Sequence, residues 1–389
     1  MKKQIYLDYA ASSPLDPGVL KAMMPFLRRE WGNPSSSHSF GQRSRAAIEN
    51  SRETVAKFLN CSPLEVVFTS GATEANNLAI QGVLKSASSK RPHVIVSKIE
   101  HESVLSPIQE LEAQGKIEAT YIAPNKEGIT DPADVEKVLK TNTALVSIMY
   151  ANSEIGTIQP IAEIGALLKV NSQKSKVVFH TDAVQAAQFL DCDVQKLGVD
   201  ILTLSGHKVY GPKGVGALYI KEGTAVSPLH VGGGQEQGMR SGTENVAAIV
   251  GMGAAIEEIL NPKSEIRNIK MRQLRDFLMK EVLRKITGSS LTGSRTQRLP
   301  NNAHFRFKSV HGKDLAMMLD QKGFAVSTGS ACSEKTEEPS HVLLALGIPV
   351  QECVSALRVT LGKQTTKEEV AKFIKTLATT VEKLRGKGV

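Results

Sequence analysis

The sequence predicts an α/β protein built on a mostly parallel β-sheet with helices on both faces, followed by a smaller α+β domain. Between about residues 63 and 220, short β-branched runs alternate with helical stretches, which is typical of such sheets. Near residues 255–270 the pattern changes to a charged amphipathic helix, which indicates entry into a second domain. We predict a large domain over residues 16–258 and a small domain formed by residues 1–15 with 259–389.

Six runs are predicted as strands of the large sheet. They are EVVFTS (65–70), HVIVSK (93–98), ALVSIM (144–149), KVVFHTD (176–182), DILTLS (200–205) and GVGALYI (214–220). Beyond the charged helix, short strands and helices alternate in RLPNNAHFRF, DLAMMLDQKG, FAVSTGSACS and SALRVTLG. The segment EEVAKFIKTLATTVEKLRGKGV is predicted as a closing helix.

The composition predicts an ordinary protein of a reducing aqueous compartment. No apolar run reaches the roughly 18 residues of a membrane span, and the N-terminus leads directly into a strand-like segment, so we expect no signal peptide and no membrane anchor. Four cysteines without a CxxC pair fit neither a disulfide framework nor a zinc site. We therefore expect a cytoplasmic location and no metal in the active site.

The net charge of +9 does not by itself indicate nucleic acid. Lysines and arginines are spread along the chain, and no basic patch is interleaved with aromatic residues. The charge therefore favours anionic ligands or an acidic protein partner over direct nucleic-acid binding.

Unusual polar residues cluster just after the predicted strands. Ligands of parallel sheets bind at the carboxyl ends of the strands, and residues placed by packing alone would show no bias toward that edge. The residues concerned are Thr73, His101, Asn152, Ser153, Asp182, Gln185, Ser205, His207 and Lys208.

Lys208 and Asp182 indicate chemistry with pyridoxal 5′-phosphate (PLP). A lysine at this edge forms an imine with an aldehyde when burial or cationic neighbours deprotonate part of its amine. A carboxylate against the pyridine nitrogen makes the ring a better electron sink, and Asp182 ends the strand before that of Lys208. The alternatives are a surface lysine at a strand end and an aspartate that caps the helix starting at Ala183.

Four further candidates also have structural alternatives. Thr73, at a helix start, suits a phosphate or an ordinary N-cap, and His101 suits ring stacking with proton exchange or a structural role. Arg358 suits a substrate carboxylate or a salt bridge between domains. Cys332 stands in a small, polar stretch predicted as an exposed loop. Since free cysteines prefer burial, it is a candidate nucleophile, although reactivity requires a thiolate.

Ten blocks of the sequence resemble, in order and over almost the whole chain, the cysteine desulfurases of the NifS/IscS type within the class V aminotransferase group. They are YLDYAASSP, GNPSSSH, FTSGATEANNLAI, EHESVL, ANSEIGTIQP, HTDAVQAA, SGHKVYGPKGVGALY, GGGQEQGMRSGTENV, GSACS and EPSHVLLALG. The resemblance implies the fold of type I PLP-dependent transferases, with a seven-stranded sheet, and a homodimer with composite active sites.

The resemblance also implies roles for single residues. Lys208 is the Schiff-base lysine, Asp182 pairs with the pyridine nitrogen, and His101 stacks on the ring as a proton shuttle. The other implied cofactor contacts are Ala72, Thr73, Ser205 and His207 at the phosphate, Gln185 near the phenolic oxygen, Asn152 and Ser153, and Thr243 at the neighbouring subunit's phosphate. Arg358 and Asn33 are the implied substrate-binding residues, and Cys332 is the implied persulfide-forming cysteine.

The chain departs from the family pattern at two points. The family usually has two asparagines before EIG, and this chain has Asn152 and Ser153; because serine reaches less far, a weaker cofactor contact is expected there. The sequence also stops soon after the last predicted helix, without the longer tail that some members use to bind an iron–sulfur scaffold. The long form of the cysteine loop favours the branch that swings this loop toward a partner.

The activity that the resemblance implies is removal of sulfur from L-cysteine, giving L-alanine and a Cys332 persulfide. The implied acceptors are an iron–sulfur scaffold, with which Cys332 would share the ligation of a transient cluster, or a tRNA-thiolation protein. The alternatives are a selenocysteine lyase or another class V aminotransferase-like PLP enzyme, and a non-catalytic scaffold-binding module. A transaminase would have no use for an exposed loop cysteine.

Overall fold

The structure is a computed structural model that describes residues 4–171, 177–329 and 339–386. Its strands are β1 (Ile5–Tyr6), β2 (Val66–Thr69), β3 (His93–Ser97), β4 (Glu118–Ile122), β5 (Thr143–Ser147), β6 (Val178–Asp182), β7 (Ile201–Ser205), β8 (Gly216–Ile220), β9 (Ser289–Leu291), β10 (Asn302–Phe307), β11 (Phe324–Ala325) and β12 (Ala356–Thr360). Its helices are α1 (Pro17–Arg28), α2 (Ser39–Leu59), α3 (Ala72–Ser86), α4 (Glu102–Ala113), α5 (Pro132–Lys137), α6 (Ile161–Asn171), α7 (Val194–Leu197), α8 (Val246–Leu260), α9 (Lys263–Lys285), α10 (Gly312–Gln321), α11 (His341–Ala345), α12 (Val350–Cys353) and α13 (Lys367–Gly386). Short 3₁₀ turns cover Pro63–Glu65, Gly206–Lys208 and Glu236–Gly238.

A seven-stranded sheet forms the centre of the large part of the molecule. Its strand order is β2-β8-β7-β6-β5-β3-β4. Only β8 runs antiparallel to its neighbours, β2 and β7, so the predicted mostly parallel architecture is confirmed. Apolar residues of α1, α2, α6 and α8 pack on one face and those of α3 and α4 on the other, which places the carboxyl ends of the parallel strands along one open edge.

The six predicted strands of this sheet are all present, and each end lies within two residues of the prediction. The sequence prediction missed the seventh, β4. This strand is EATYI, and its first four residues are only half-buried, so it lacks the continuous apolar run by which the inner strands were found. It lies at the edge of the sheet and pairs with β3 alone.

The rest of the chain has a separate core around a three-stranded antiparallel sheet of order β12-β10-β9. Helices α9, α10 and α13 cover it, and Phe305, Phe307 and Phe373 are fully buried there. Ile5 and Leu7 of the N-terminal segment belong to this second core, and β1 pairs with β11 in parallel. The N-terminal segment thus packs with the C-terminal part of the chain, and the division into two domains stays a prediction.

The charged helix predicted to start near residues 255–270 is divided between α8 and α9. Asn261 and Pro262 separate the two helices, because proline supplies no amide hydrogen to a preceding turn and restricts the residue before it. No helix in the described ranges is long and apolar enough to cross a membrane.

Candidate active site

A cleft of about 490 Å³ lies where the carboxyl ends of β6 and β7 meet the start of α3. The N-terminal segment after β1 closes one side of it, through Ala10, Ala11 and Ser12. Ten of the residues predicted from the sequence line the cleft: Ala72, Thr73, His101, Ser153, Asp182, Gln185, Ser205, His207, Lys208 and Arg358.

Lys208 lies at the end of the 3₁₀ turn that follows β7. Its Nζ donates hydrogen bonds to the carbonyl oxygens of Ala10, at 2.6 Å, and Ala11, at 2.8 Å. The Ala10 carbonyl also accepts a hydrogen bond from Nε2 of Gln185, at 3.0 Å. The amine is therefore held by backbone carbonyls at the wall of the cleft.

Asp182 is the last residue of β6 and only 6% exposed. Its Oδ2 accepts a hydrogen bond from Nδ2 of Asn76, at 2.9 Å, and its Oδ1 accepts one from the backbone N–H of Val184, at 2.9 Å. The bond to Val184 holds a turn, since no helix begins at Ala183; the alternative of a helix cap is therefore wrong, and Asp182 lines the cleft as expected. Two donors stabilise a carboxylate in this buried position.

His101 is the N-cap of α4 and lies across the cleft. Its Nδ1 accepts a hydrogen bond from the backbone N–H of Ser103, at 3.1 Å, and lies 2.8 Å from the Ser103 hydroxyl. Burial lowers the pKa of His101; the charge of Asp182 opposes this effect and that of Lys208 adds to it. The imidazole is thus favoured in its neutral form.

One end of the cleft suits an anion. No side chain caps α3, and Gly71, Ala72 and Thr73 at its start line the cleft; the first amides and the dipole of a 15-residue helix attract a phosphate. His207 lies at the same site, and burial, together with nearby Lys208 and Lys213, lowers its pKa to about 4. Lys208 and Lys213 also line the cleft, and the Glu74 carboxylate at the same end is paired with Arg240, so this end fits a phosphate group.

Arg358, on β12, joins the small sheet to the cleft and is 2% exposed. Its Nη2 donates to Oδ1 of Asp8, at 2.9 Å, and its Nη1 donates to the carbonyl oxygen of Ser153, at 3.1 Å. Its Nε has no hydrogen-bond partner among the described residues. The side chain therefore has a structural ion pair and still has donor capacity at the cleft.

Three predicted residues lie apart from this cleft. Asn152 is buried, and its side chain donates to the carbonyl of Ile99 and accepts from the amides of Glu154 and Ile155. Asn33 is exposed and accepts a bond from the amide of Ser35.

Thr243 is exposed at a second cavity, of about 140 Å³, which shares Ser70, Gly214 and Val215 with the cleft. Cys332 lies outside the described residues.

The sequence interpretation missed Asn76 and Ser103. Asn76 is completely buried on α3 and its Nδ2 bonds both Asp182 and the Ser103 hydroxyl. An asparagine pair inside the otherwise apolar run EANNLAI was the available signal, since a polar residue on a buried helix face requires a partner. Asp8, the ion-pair partner of Arg358, was also missed.

This chain belongs to the class V aminotransferase family, whose sequence model matches residues 5–373. Among its relatives, a cysteine desulfurase IscS of Dictyoglomus turgidum is 49% identical over 386 residues, which cover 99% of this chain and 96% of that protein. Cysteine desulfurase IscS 1 of Archaeoglobus fulgidus is 43% identical over 98% of this chain and 97% of its own length.

Solved structures give the same result. A NifS-like protein superposes with a TM-score of 0.90 at 34% identity, covering 97% of this chain and 99% of that one. SspA in complex with cysteine superposes with a TM-score of 0.81 at 35% identity, covering 93% and 99%. The family and the type I fold implied by the sequence blocks are confirmed.

The cofactor of this family is PLP, and the residues of the cleft fit it. Lys208 offers an amine, Asp182 a buried acceptor for a pyridinium N–H, and the start of α3 a phosphate site. The expected cofactor is therefore confirmed for the family, and its chemical groups find matching partners in this chain.

Proposed function

We propose that this protein is a PLP-dependent cysteine desulfurase that converts L-cysteine to L-alanine and transfers the sulfur to Cys332. The observation that carries the proposal is the convergence of Lys208, Asp182 and Arg358 on one cleft. The full-length relatives named cysteine desulfurase support it. In this reaction the Cβ–S bond of the substrate cysteine breaks, and an S–S bond forms between the released sulfur and the Cys332 sulfur. The electron pair of the broken bond stays on the substrate carbon. That carbon takes up the proton lost by the Cys332 thiol and becomes the methyl group of alanine.

Bound PLP supplies the electron sink that permits loss of a proton from the substrate Cα. Lys208 would hold the cofactor through its Nζ, and Asp182 would accept a hydrogen bond from the pyridine N–H at the buried end of the cleft. Arg358 would bind the substrate carboxylate through its guanidinium, which lines the cleft and has no partner for Nε among the described residues. His101 offers its Nε2 to the cleft for hydrogen bonding, since its Nδ1 already accepts a hydrogen bond from the backbone N–H of Ser103. These groups orient the substrate and limit its access to water.

The alternative of a selenocysteine lyase uses the same cleft. The relatives are named for cysteine, and none of the described residues favours selenium over sulfur. Assaying both amino acids with the same preparation separates the two activities, and a kcat/KM higher for selenocysteine would replace the proposal.

The protein acts as a homodimer in this proposal. Asn33 and Thr243 are exposed and lie apart from the cleft of their own chain, which suits residues that complete a partner's site. Trp31, 74% exposed, and Phe40, 42% exposed, stack at 6.0 Å beside Asn33. An exposed aromatic pair of this kind is typical of an interface between proteins.

The persulfide is passed to a sulfur acceptor in the cytoplasm. An iron–sulfur scaffold or a tRNA-thiolation protein has the required chemistry, and the net charge of +9 favours an acidic protein partner. With a scaffold, Cys332 would contribute to a transient iron–sulfur ligand set.

The test is to incubate the purified protein with PLP, cysteine and a thiol and to measure alanine and sulfide together. Lys208→Ala should lose both products and the absorbance near roughly 400 nm of the lysine-bound cofactor. Cys332→Ser should still bind cysteine but stop alanine release. The exposed Lys137→Ala variant is the matched control and should keep full activity. Turnover by Lys208→Ala, or undiminished alanine from Cys332→Ser, would refute the respective assignment.

A further inference from the structure

A chain of hydrogen bonds behind the cleft connects Asp182 to His101. Nδ2 of Asn76 donates to Oδ2 of Asp182, at 2.9 Å, and to Oγ of Ser103, at 2.8 Å. Oγ of Ser103 lies 2.8 Å from Nδ1 of His101. Asn76 is fully buried and Ser103 is 7% exposed, so solvent does not compete for these bonds.

The donors and acceptors of this chain can be assigned from chemistry alone. A carboxylate only accepts, so the amide nitrogen of Asn76 must face Asp182 and then also donates to Ser103. The backbone N–H of Ser103 only donates, so Nδ1 of His101 must be its acceptor and carries no hydrogen. The Ser103 hydroxyl, which already accepts from Asn76, directs its own hydrogen to the same Nδ1.

We propose that Asn76 and Ser103 are positioning residues that hold His101 as the neutral tautomer with its hydrogen on Nε2. The ring then offers the cleft an Nε2–H donor, and it accepts a second proton only by giving up its bonds at Nδ1. The consequence for catalysis rests on the proposed function, whereas the tautomer and its titration are properties of this chain alone.

Charged and titratable groups approach His101 from several elements. Asp182 faces it from β6 and Lys208 from the turn after β7; Glu102 lies on its own helix, and His341 approaches from α11. Glu100 precedes it, fully buried, and burial raises the pKa of its carboxyl well above the usual range. The pKa of His101 therefore depends on all of these charged groups and on the two hydrogen bonds that Nδ1 accepts.

Two substitutions each remove the hydroxyl donor at Nδ1. Ser103→Ala deletes the hydroxyl and keeps the backbone bond, so it should raise the pKa of His101. In Asn76→Asp the introduced carboxyl shares one proton with Asp182, because two buried carboxylates in contact do not both ionise. Its second oxygen accepts from the Ser103 hydroxyl and draws this donor away from Nδ1, so the variant should also raise the pKa of His101. Ser103→Thr keeps a hydroxyl and should restore wild-type behaviour.

The experiment is nitrogen-15 NMR of the cofactor-free protein labelled at histidine, with the His101 signals assigned by loss in His101→Gln. The wild type should show the Nε2–H tautomer, and the titration midpoint of His101 should be higher in both Ser103→Ala and Asn76→Asp than in the wild type. Ser106→Ala removes an exposed hydroxyl from the same helix and should match the wild type. An Nδ1–H tautomer in the wild type, or an unchanged midpoint in Ser103→Ala, overturns the proposal.

Kinetics of the holoenzyme provide the second measurement. Ser103→Ala should lower kcat between about 3-fold and 30-fold, less than the roughly 100-fold or more that acid–base catalysis contributes, with KM for cysteine within about twofold. The acidic limb of its pH profile should move to higher pH, and Ser103→Thr should reverse both changes. If the wild type does not release alanine, the proposed function fails while the NMR result still decides the tautomer.

Discussion

At the scale of single residues, Arg358 joins two roles that the sequence presents as alternatives. Its ion pair with Asp8 and its bond to the Ser153 carbonyl fix the guanidinium. The same side chain lines the cleft with its Nε unpaired among the described residues. A buried guanidinium held on one side by the protein is pre-organised for a ligand carboxylate on the other, because little side-chain entropy remains to be lost on binding.

Arg358→Lys should therefore weaken substrate binding more than turnover. Lysine keeps the positive charge but lacks the planar guanidinium group, so it cannot donate hydrogen bonds to Asp8, the Ser153 carbonyl and a ligand at the same time. We expect KM for cysteine to rise about tenfold, equivalent to about 1.4 kcal/mol, with kcat within about threefold. Arg306→Lys is the matched control, since Arg306 lies on the neighbouring strand and pairs with Glu352. A larger fall in kcat than rise in KM would contradict the assignment.

The sequence predicts that a residue reaches the cleft when this residue stands at the end of a strand, because the strand determines where its end lies. Asp182 ends a strand of the large sheet, Lys208 and His101 follow two others, and the strands bring them together. Asn152 and Ser153 are adjacent, yet only Ser153 lines the cleft, because Asn152 turns inward to bond backbone amides. Local pattern does not specify which of two neighbours in a turn faces a ligand.

At the scale of elements, strands with an apolar run were predictable and those stabilised by their neighbours were not. The inner strands β3, β5 and β7 are buried along almost their whole length, and their β-branched runs identify them. The half-buried edge strand β4 has no such run and forms because β3 offers it a row of backbone partners. Its existence depends on long-range pairing that the local sequence does not encode.

Strand β10 carries a fully buried histidine that makes the fold sensitive to acid. Both ring nitrogens of His304 lack a partner among the described residues. Burial, followed by the charges of Arg298, Arg358 and Arg306, lowers its pKa to about 3. The unfolded chain binds this proton at its ordinary pKa of about 6.5, whereas the folded chain resists it, so stability is present above about pH 6.5 and is lost as the pH falls toward about 3.

His304→Leu should flatten this dependence. Between pH 7.5 and 5.5, the wild type should lose about 1.4 kcal/mol more unfolding free energy than the variant, from one histidine that protonates only when unfolded. Urea unfolding at the two pH values measures the difference. His311→Gln, at an exposed position, should keep the wild-type slope. Equal slopes in the wild type and His304→Leu would mean that His304 is protonated in the folded protein or stays neutral in both states.

At the scale of the whole molecule, the cleft depends on both cores. The large sheet contributes Lys208 and Asp182, and the small sheet contributes Arg358. The N-terminal segment passes from the second core across the cleft, where Ala10 and Ala11 hold Lys208. A shift between the two cores would therefore change the distance between the cofactor-binding and substrate-binding residues, which makes their packing part of the site.

The proposed homodimer has a consequence that a single chain cannot produce. If Lys208 of one chain and Thr243 of the other complete each site, a hybrid of Lys208→Ala with Thr243→Asp contains one site with both defects and one site with neither. Each variant alone should be inactive, since the carboxylate introduced by Thr243→Asp would repel the phosphate. When the two variant chains are co-expressed in equal amounts and pair at random, half of the dimers are hybrids. Each hybrid has one intact site of two, so the mixture should regain about one quarter of wild-type activity.

Two affinity tags isolate the hybrid, whose activity should then be about half that of the wild-type dimer, since one of its two sites is intact. Co-expression of two differently tagged Lys208→Ala chains should stay inactive and controls for contamination by host enzyme. If Thr243 serves the cleft of its own chain, every site in the hybrid carries one defect and no activity returns. That outcome would exclude composite sites even if the protein is a dimer, because the test detects shared residues and not association alone.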